Sequence, residues 1–174
     1  MILSVEKAKS LISFPNWTDE KIEMKLKAVE QTIREYTNNN FQDRDYRRTA
    51  DIVGGLFMVE ALTPFDIGDT VQISETRLNK GLFTVATADD STFTVEETVK
   101  DENDVLVTKV VYPADVIDCC VNLMEWEVNN RGKVGIKSET LSRHSVTYED
   151  SATMFMGYPA SLLGCLKAYR KARC

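Results

Sequence analysis

The sequence predicts an α+β protein: a small helical bundle of two N-terminal helices, a central helix and a C-terminal helix, with an inserted small antiparallel β-barrel or sandwich. Three observations predict it. Apolar residues recur at helical spacing at both ends of the chain. They alternate one by one through the middle. Turn residues punctuate that middle at short, even intervals. The change of period sets the boundaries, with 1–40 and 112–174 as a helical domain and 41–111 as an inserted β module.

The first helix starts at Ser4, a capping residue, and places Val5, Ala8, Leu11 and Ile12 on one face before Phe14, Pro15 and Asn16 end it. Thr18 caps the second, where Asp19 and Glu20 suit the positive end of the dipole and Ile22, Leu26, Val29, Ile33 and Tyr36 form one stripe. Asn38, Asn39 and Asn40 close it. Val71 and Ile73, Phe83 and Val85, and Phe93 and Val95 then alternate with polar or small neighbours, and residues 105–111 form a further β-branched run. Gly68-Asp69, Asn79-Lys80-Gly81, Asp89-Asp90-Ser91 and the acidic stretch 101–104 are the turns between them. Residues 46–60 add a strand broken at Gly54-Gly55.

The central helix runs from Tyr112 to Gly132, because Pro113 suits its first turn and Gly132 its end. Ile117, Cys120, Val121, Met124 and Val128 form one apolar row and Val116, Cys119, Leu123 and Trp126 a second, which leaves most of the helix to be buried. Asp115, Asp118, Asn122, Glu125 and Asn129 make a continuous polar stripe, with Glu127 as an isolated exception outside it. Residues 133–150 fit no helical period and read as an extended arm with a strand over 145–149. Tyr158-Pro159-Ala160 repeats the entry of the central helix and opens a last helix, in which Leu162, Leu166 and Tyr169 share a face.

The chain has 174 residues, 43% apolar and 28% charged, and no apolar run approaches the ~20 residues of a membrane span. It also lacks the features of a secretory signal at Met1–Lys9, and is expected to be cytoplasmic. Its net charge of −6 is uneven: 41–111 holds fourteen acids against seven bases, whereas 112–174 holds seven acids and eight bases. A middle of that sign argues against a surface that grips phosphates. Cys119, Cys120, Cys165 and Cys174 have no metal-ligand spacing and read as small buried hydrophobes plus one exposed terminal thiol. His144, the single histidine, lies in the polar arm, and no buried acid or oxyanion site accompanies it or the cysteines. Gly54-Gly55 lacks the Lys-Ser/Thr of a phosphate loop. No catalytic residue, metal site or cofactor is expected.

Two N-terminal helices, a central helix entered through Tyr112-Pro113-Ala114-Asp115, an arm reading Ile136-Lys137-Ser138-Glu139-Thr140 then Ser145-Val146-Thr147-Tyr148, and a Tyr158-Pro159 helix ending in Tyr169-Arg170-Lys171 together resemble the head-tail connector (head-completion adaptor) proteins of tailed bacteriophages. The resemblance covers 1–40 and 112–174, and 41–111 departs from the shortest members, which join these helices directly. It implies a non-enzymatic virion structural protein, made in the host cytoplasm and resident at the head-tail connector. Its partners would be the portal protein, the stopper or tail-completion protein, and itself as a dodecameric ring. DNA would pass through the channel without specific binding, and no membrane would be involved.

On that resemblance Ile136, Lys137, Ser138, Glu139, Val146 and Tyr148 belong to a docking arm. Leu162, Leu166, Tyr169, Arg170, Lys171 and Arg173 form or brace the portal or subunit interface, and the polar stripe from Asp115 to Asn129 makes a subunit contact. The alternative is a nucleic-acid-binding module with an oligonucleotide-binding-like β barrel. The acidity of 41–111 weighs against it, as do Phe65, Phe83 and Phe93, which alternate as core residues would.

Overall fold

Six antiparallel strands close on themselves: β1 (Gln42–Val53), β2 (Leu56–Val59), β3 (Thr70–Ser74), β4 (Gly81–Ala88), β5 (Thr92–Val95) and β6 (Glu102–Val110), in the spatial order β1-β2-β5-β4-β3-β6, with β6 returning to β1. Closure leaves no unpaired edge for another chain to add to. Alternation sends Ala50, Ile52, Phe57, Val59, Val71, Ile73, Val85, Phe93, Val105 and Val107 into one buried core, joined by Phe65 from the β2–β3 connection. The Phe57 and Phe93 rings stack with centroids 4.4 Å apart, and Phe65 meets Phe93 edge-on at 5.2 Å. Gly54 and Gly55 form the two-residue turn from Val53 to Leu56, both at positive φ (60° and 84°), the conformation this tightest hairpin requires. Arg44, Asp45 and Tyr46 bulge out of β1, since Asp43 pairs with Lys109 and Arg47 with the next residue, Thr108.

In this computed structural model residues 1–130, 138–141, 144–147 and 154–172 are described, 138–141 and 144–147 as backbone. The chain divides into two units, Met1 with 40–112 and 2–39 with 113–174. The second contains α1 (Val5–Leu11), α2 (Asp19–Thr37), α3 (Ala114–Asn130), a hairpin of β7 (Ser138–Leu141) and β8 (His144–Thr147), a two-residue pair of β9 (Met154–Phe155) and β10 (Tyr158–Pro159), and a short 3-10 helix, Gly164–Tyr169. Ser4 and Thr18 cap α1 and α2 through their hydroxyls, and Asn38 ends α2 in the left-handed conformation.

This corrects the expected architecture. The protein is not a four-helix bundle carrying a barrel; the closed barrel is its main organised element, helix and strand are nearly balanced at about 33% and 31%, and the expected C-terminal α-helix does not form. Tyr158-Pro159 pairs as a strand with Met154-Phe155 instead of starting a helix. Beyond it the buried side chains are Leu163 and Leu166, three apart, which is the repeat of a 3-10 turn and not the Leu162, Leu166, Tyr169 spacing of an α-helix. The arm is also no single extended segment, because 138–141 folds back on 144–147.

One carboxylate fixes the long β3–β4 connection. Glu102 accepts hydrogen bonds from the Arg77 N–H at 2.6 Å, the Leu78 N–H at 3.2 Å, the Asn79 side-chain amide at 3.0 Å and the Thr76 hydroxyl. Asn79 extends the network to the Lys100 N–H and carbonyl. The Arg77 backbone bond first, and the Thr76 hydroxyl next, hold the Glu102 carboxyl below the usual carboxylate range.

Phe93→Ala removes the ring that both other core phenylalanines touch, and should lower the unfolding free energy by about 3–5 kcal/mol, read as a lower denaturant midpoint. A carboxyl depressed in the folded state contributes stability above its unfolded pKa and loses it as pH falls through the folded one. The melting-temperature advantage of wild type over Glu102→Gln should therefore be full at neutral pH and shrink below about pH 5; a pH-independent difference would refute the charge-based account.

Candidate contact surfaces

The central helix α3 buries Val116, Cys119, Cys120, Leu123, Met124 and Glu127. Ile117, Val121, Trp126 and Val128 are only half buried, so the buried row runs between the two expected ones. Glu127 therefore lies within the core, its side chain 1% exposed. Lys25 of α2 donates to its Oε2 at 3.2 Å, and the Tyr158 hydroxyl of β10 donates to its Oε1 at 2.6 Å. A carboxylate this deep is retained only with such partners, and removing one from a buried pair typically costs about 3–5 kcal/mol. Sequence reasoning left Glu127 as an exception. Its position inside an apolar row was the available signal that a cation or hydroxyl must meet it.

All five residues of the polar stripe, Asp115, Asp118, Asn122, Glu125 and Asn129, are exposed. Two groups expected to serve separate surfaces meet here: the Tyr169 hydroxyl lies 2.6 and 2.7 Å from the two Asp115 carboxylate oxygens. That bond to Asp115 raises the Tyr169 phenol above its ordinary value. The C-terminal segment is tied to α2 and its cap as well. The Lys171 N–H donates to the Thr37 carbonyl at 2.8 Å, Asn38 and Asn39 donate to the Ala172 and Tyr169 carbonyls, and the Arg170 guanidinium sits 5.2 Å from the Tyr36 ring centre. Leu166 is buried and Leu162 half buried, so these two brace the segment from within, while Lys167, Arg170 and Lys171 are exposed. Ser138, Glu139 and Val146 lie in the β7–β8 hairpin; Ile136, Lys137, Tyr148 and Arg173 lie outside the described residues.

The Cys119 and Cys165 thiols both donate to the Leu162 carbonyl, at 3.4 and 3.5 Å. Burial first, and then Cys165, push the Cys119 thiol well above its ordinary range, and burial pushes Cys120 up to about 12. Cys165 is exposed, which corrects its expected place in the core.

The barrel carries a groove of about 740 Å³ that sequence reasoning did not find. It is bounded by Leu62, Thr63, Phe65, Asp66 and Ile67 of the β2–β3 connection and by Ala88, Asp89, Asp90 and Ser91 at the β4–β5 turn. The Thr63 N–H to Asp90 carbonyl bond, 2.7 Å, and the Val59 N–H to Ser91 carbonyl bond, 2.9 Å, hold the two walls together. The Thr63 hydroxyl is buried there without a hydrogen-bond partner.

Among the described residues no three His, Cys, Asp or Glu side chains are grouped to hold a metal ion, and no helix is long and apolar enough to cross a membrane. Fold and surfaces together define a closed antiparallel β-barrel joined to a mixed helical unit, with exposed acids beside the barrel groove and exposed bases on the C-terminal segment. No protein-family model matches the chain, and no curated protein matches it.

The thiols give a direct check of this packing. In a Cys174→Ser background a disulfide reagent should label Cys165 in the folded protein. Cys119 and Cys120 should stay unlabelled on the same timescale, through both burial and suppressed thiolate, until denaturant is added.

Proposed function

We propose that this chain is a virion structural protein of a tailed bacteriophage, a head-tail connector adaptor that forms a ring between the portal and the stopper or tail and extends the DNA channel. The observation that carries the reading is the order of elements flanking the barrel, two helices, a central helix, the Lys-Ser-Glu arm and a basic end, which resembles that family. The surfaces support it. On the described part of the helical unit, Asp118, Asn122, Glu125 and Asn129 line the exposed side of α3, and Lys167, Arg170 and Lys171 crowd a second place. A head-to-tail ring needs two unlike patches on one subunit. The excess of acids over bases in 41–111 suits a neighbour of DNA that does not retain it.

The nucleic-acid-binding alternative draws less support. Phe65 and Phe93 are enclosed in the barrel core and Phe83 is half buried, so these rings offer bases no stacking platform.

Quantitative mass spectrometry of purified particles tests the connector reading. This chain should be present in copies close to those of the portal protein and should remain in DNA-filled heads that lack tails. Its absence from particles would overturn the assignment and bring the nucleic-acid reading forward.

A further inference from the structure

The barrel groove combines apolar and acidic character. Leu62 and Ile67 stand 72% and 71% exposed on its wall, beside the exposed acids Asp66, Asp89 and Asp90. Little on the barrel neutralises them: Lys109 reaches Asp66 only at 3.9 Å because Asp69 holds it at 2.5 Å. The helical unit carries the opposite combination. Phe155 and Met156, exposed at the tip of the β9–β10 turn, lie where the Phe155 ring meets Tyr36 at 5.1 Å, and Arg170 sits over that same Tyr36. Lys167 and Lys171 add exposed positive charge from the same segment. Glu35 and Asp115 lie nearby, accepting from the neutral Gln31 amide at 2.9 Å and the Tyr169 hydroxyl; they temper the positive charge of Lys167, Arg170 and Lys171 without outnumbering it.

We infer that the groove is the receptor for the basic, apolar C-terminal face of a second copy of this chain, so that copies join head to tail. Pairing groove with groove would set acids against acids, and pairing basic face with basic face would repeat the clash. Of these pairings, groove against face alone brings unlike charges and apolar side chains together. A contact between two different patches is heterologous, and it yields a ring when the rotation closes. The inference rests on the connector reading and names the subunit contact that the ring would use. Because its charges are exposed, the contact should also weaken as salt shortens the screening length toward ~8 Å and below.

Charge exchange followed by sedimentation velocity tests it. The full-length chain should self-associate at low salt. Asp66→Lys with Asp90→Lys should abolish the larger species, and so should Lys167→Glu with Lys171→Glu, while Glu6→Lys with Glu20→Lys, the same charge change placed on α1 and α2, should leave them intact. An equimolar mixture of the two inactive variants should restore assembly, because each junction then again joins a positive face to a negative one. A variant that merely failed to fold would not be rescued by mixing, and its circular dichroism would show it. Assembly that survives either reversal, a mixture that stays dissociated, or a wild-type chain that remains monomeric at its solubility limit would overturn the inference. The particle count is independent of all three. Near-equal copies with the portal would keep the connector reading standing on another subunit contact, and absence from particles would end that reading itself.

Discussion

The pairing of β1 with β6 is the constraint on which both units depend. It closes the barrel, so every other strand finds a neighbour on each side, and it joins the first strand of the inserted segment to the last. Gln42 pairs with Val110, the Val111 N–H donates to the Phe41 carbonyl at 2.9 Å, and the Phe41 and Tyr112 rings meet at 5.0 Å. The chain therefore enters and leaves the barrel at adjacent points. A long flexible insertion would charge the surrounding fold a loop-closure entropy that grows with its length. Here the barrel meets that cost through its own folding. Phe41 adopts a positive φ of 51° at this junction, a conformation that costs about 1–3 kcal/mol for a non-glycine residue and is offset by burial of its ring.

In the helical unit Glu127 has the organising place. Its two partners come from segments far away in sequence, Lys25 before the barrel and Tyr158 after it. A purely apolar residue at 127 would pack against α2 with little preference among neighbouring registers. A carboxylate that must meet both an ammonium and a phenol accepts one arrangement, which is the best-supported use of a buried ion. The ties from 169–172 to Thr37, Asn38, Asn39 and Asp115 then hold the basic segment against α2 and α3.

What could be read from the sequence was whatever a local period determines. α2 shows its stripe because one face of it is buried, and the strands show theirs because each has one face in the barrel. The end of the chain misleads because 158–169 has apolar residues at spacings that satisfy an α-helix, yet Tyr158-Pro159 is taken by a strand pair and the remaining length is too short to propagate. With three residues per turn, Leu163 and Leu166 become the buried pair, and Leu162 is turned to half exposure. The groove was invisible for a different reason. Its walls, 62–67 and 88–91, are far apart in the chain, and the non-local pairing of β2 with β5 makes them neighbours. The fold class was misjudged through the same locality: counting helical periods gave a bundle, whereas the non-local strand pairing decides the architecture.

The acidity of the barrel also changes meaning once its atoms are placed. Several of its acids are fasteners. Asp101 accepts from the Gly54 N–H at 2.7 Å, Asp51 from the Asp104 N–H at 2.9 Å, Glu97 from the Thr84 N–H at 3.0 Å, Asp69 from the Asp66 N–H at 2.8 Å, and Glu102 holds the β3–β4 connection. Short strands joined by many turns leave many backbone N–H groups unpaired, and carboxylates are strong acceptors for them. Much of the negative charge thus follows from building a small barrel with tight connections. Asp66, Asp89 and Asp90 hold no such side-chain bond to a turn among the described residues, and they cluster beside exposed Leu62 and Ile67. A net charge summed over the module treats these two populations alike. Separating them distinguishes the acids that fasten turns from the exposed acids that cluster beside the groove.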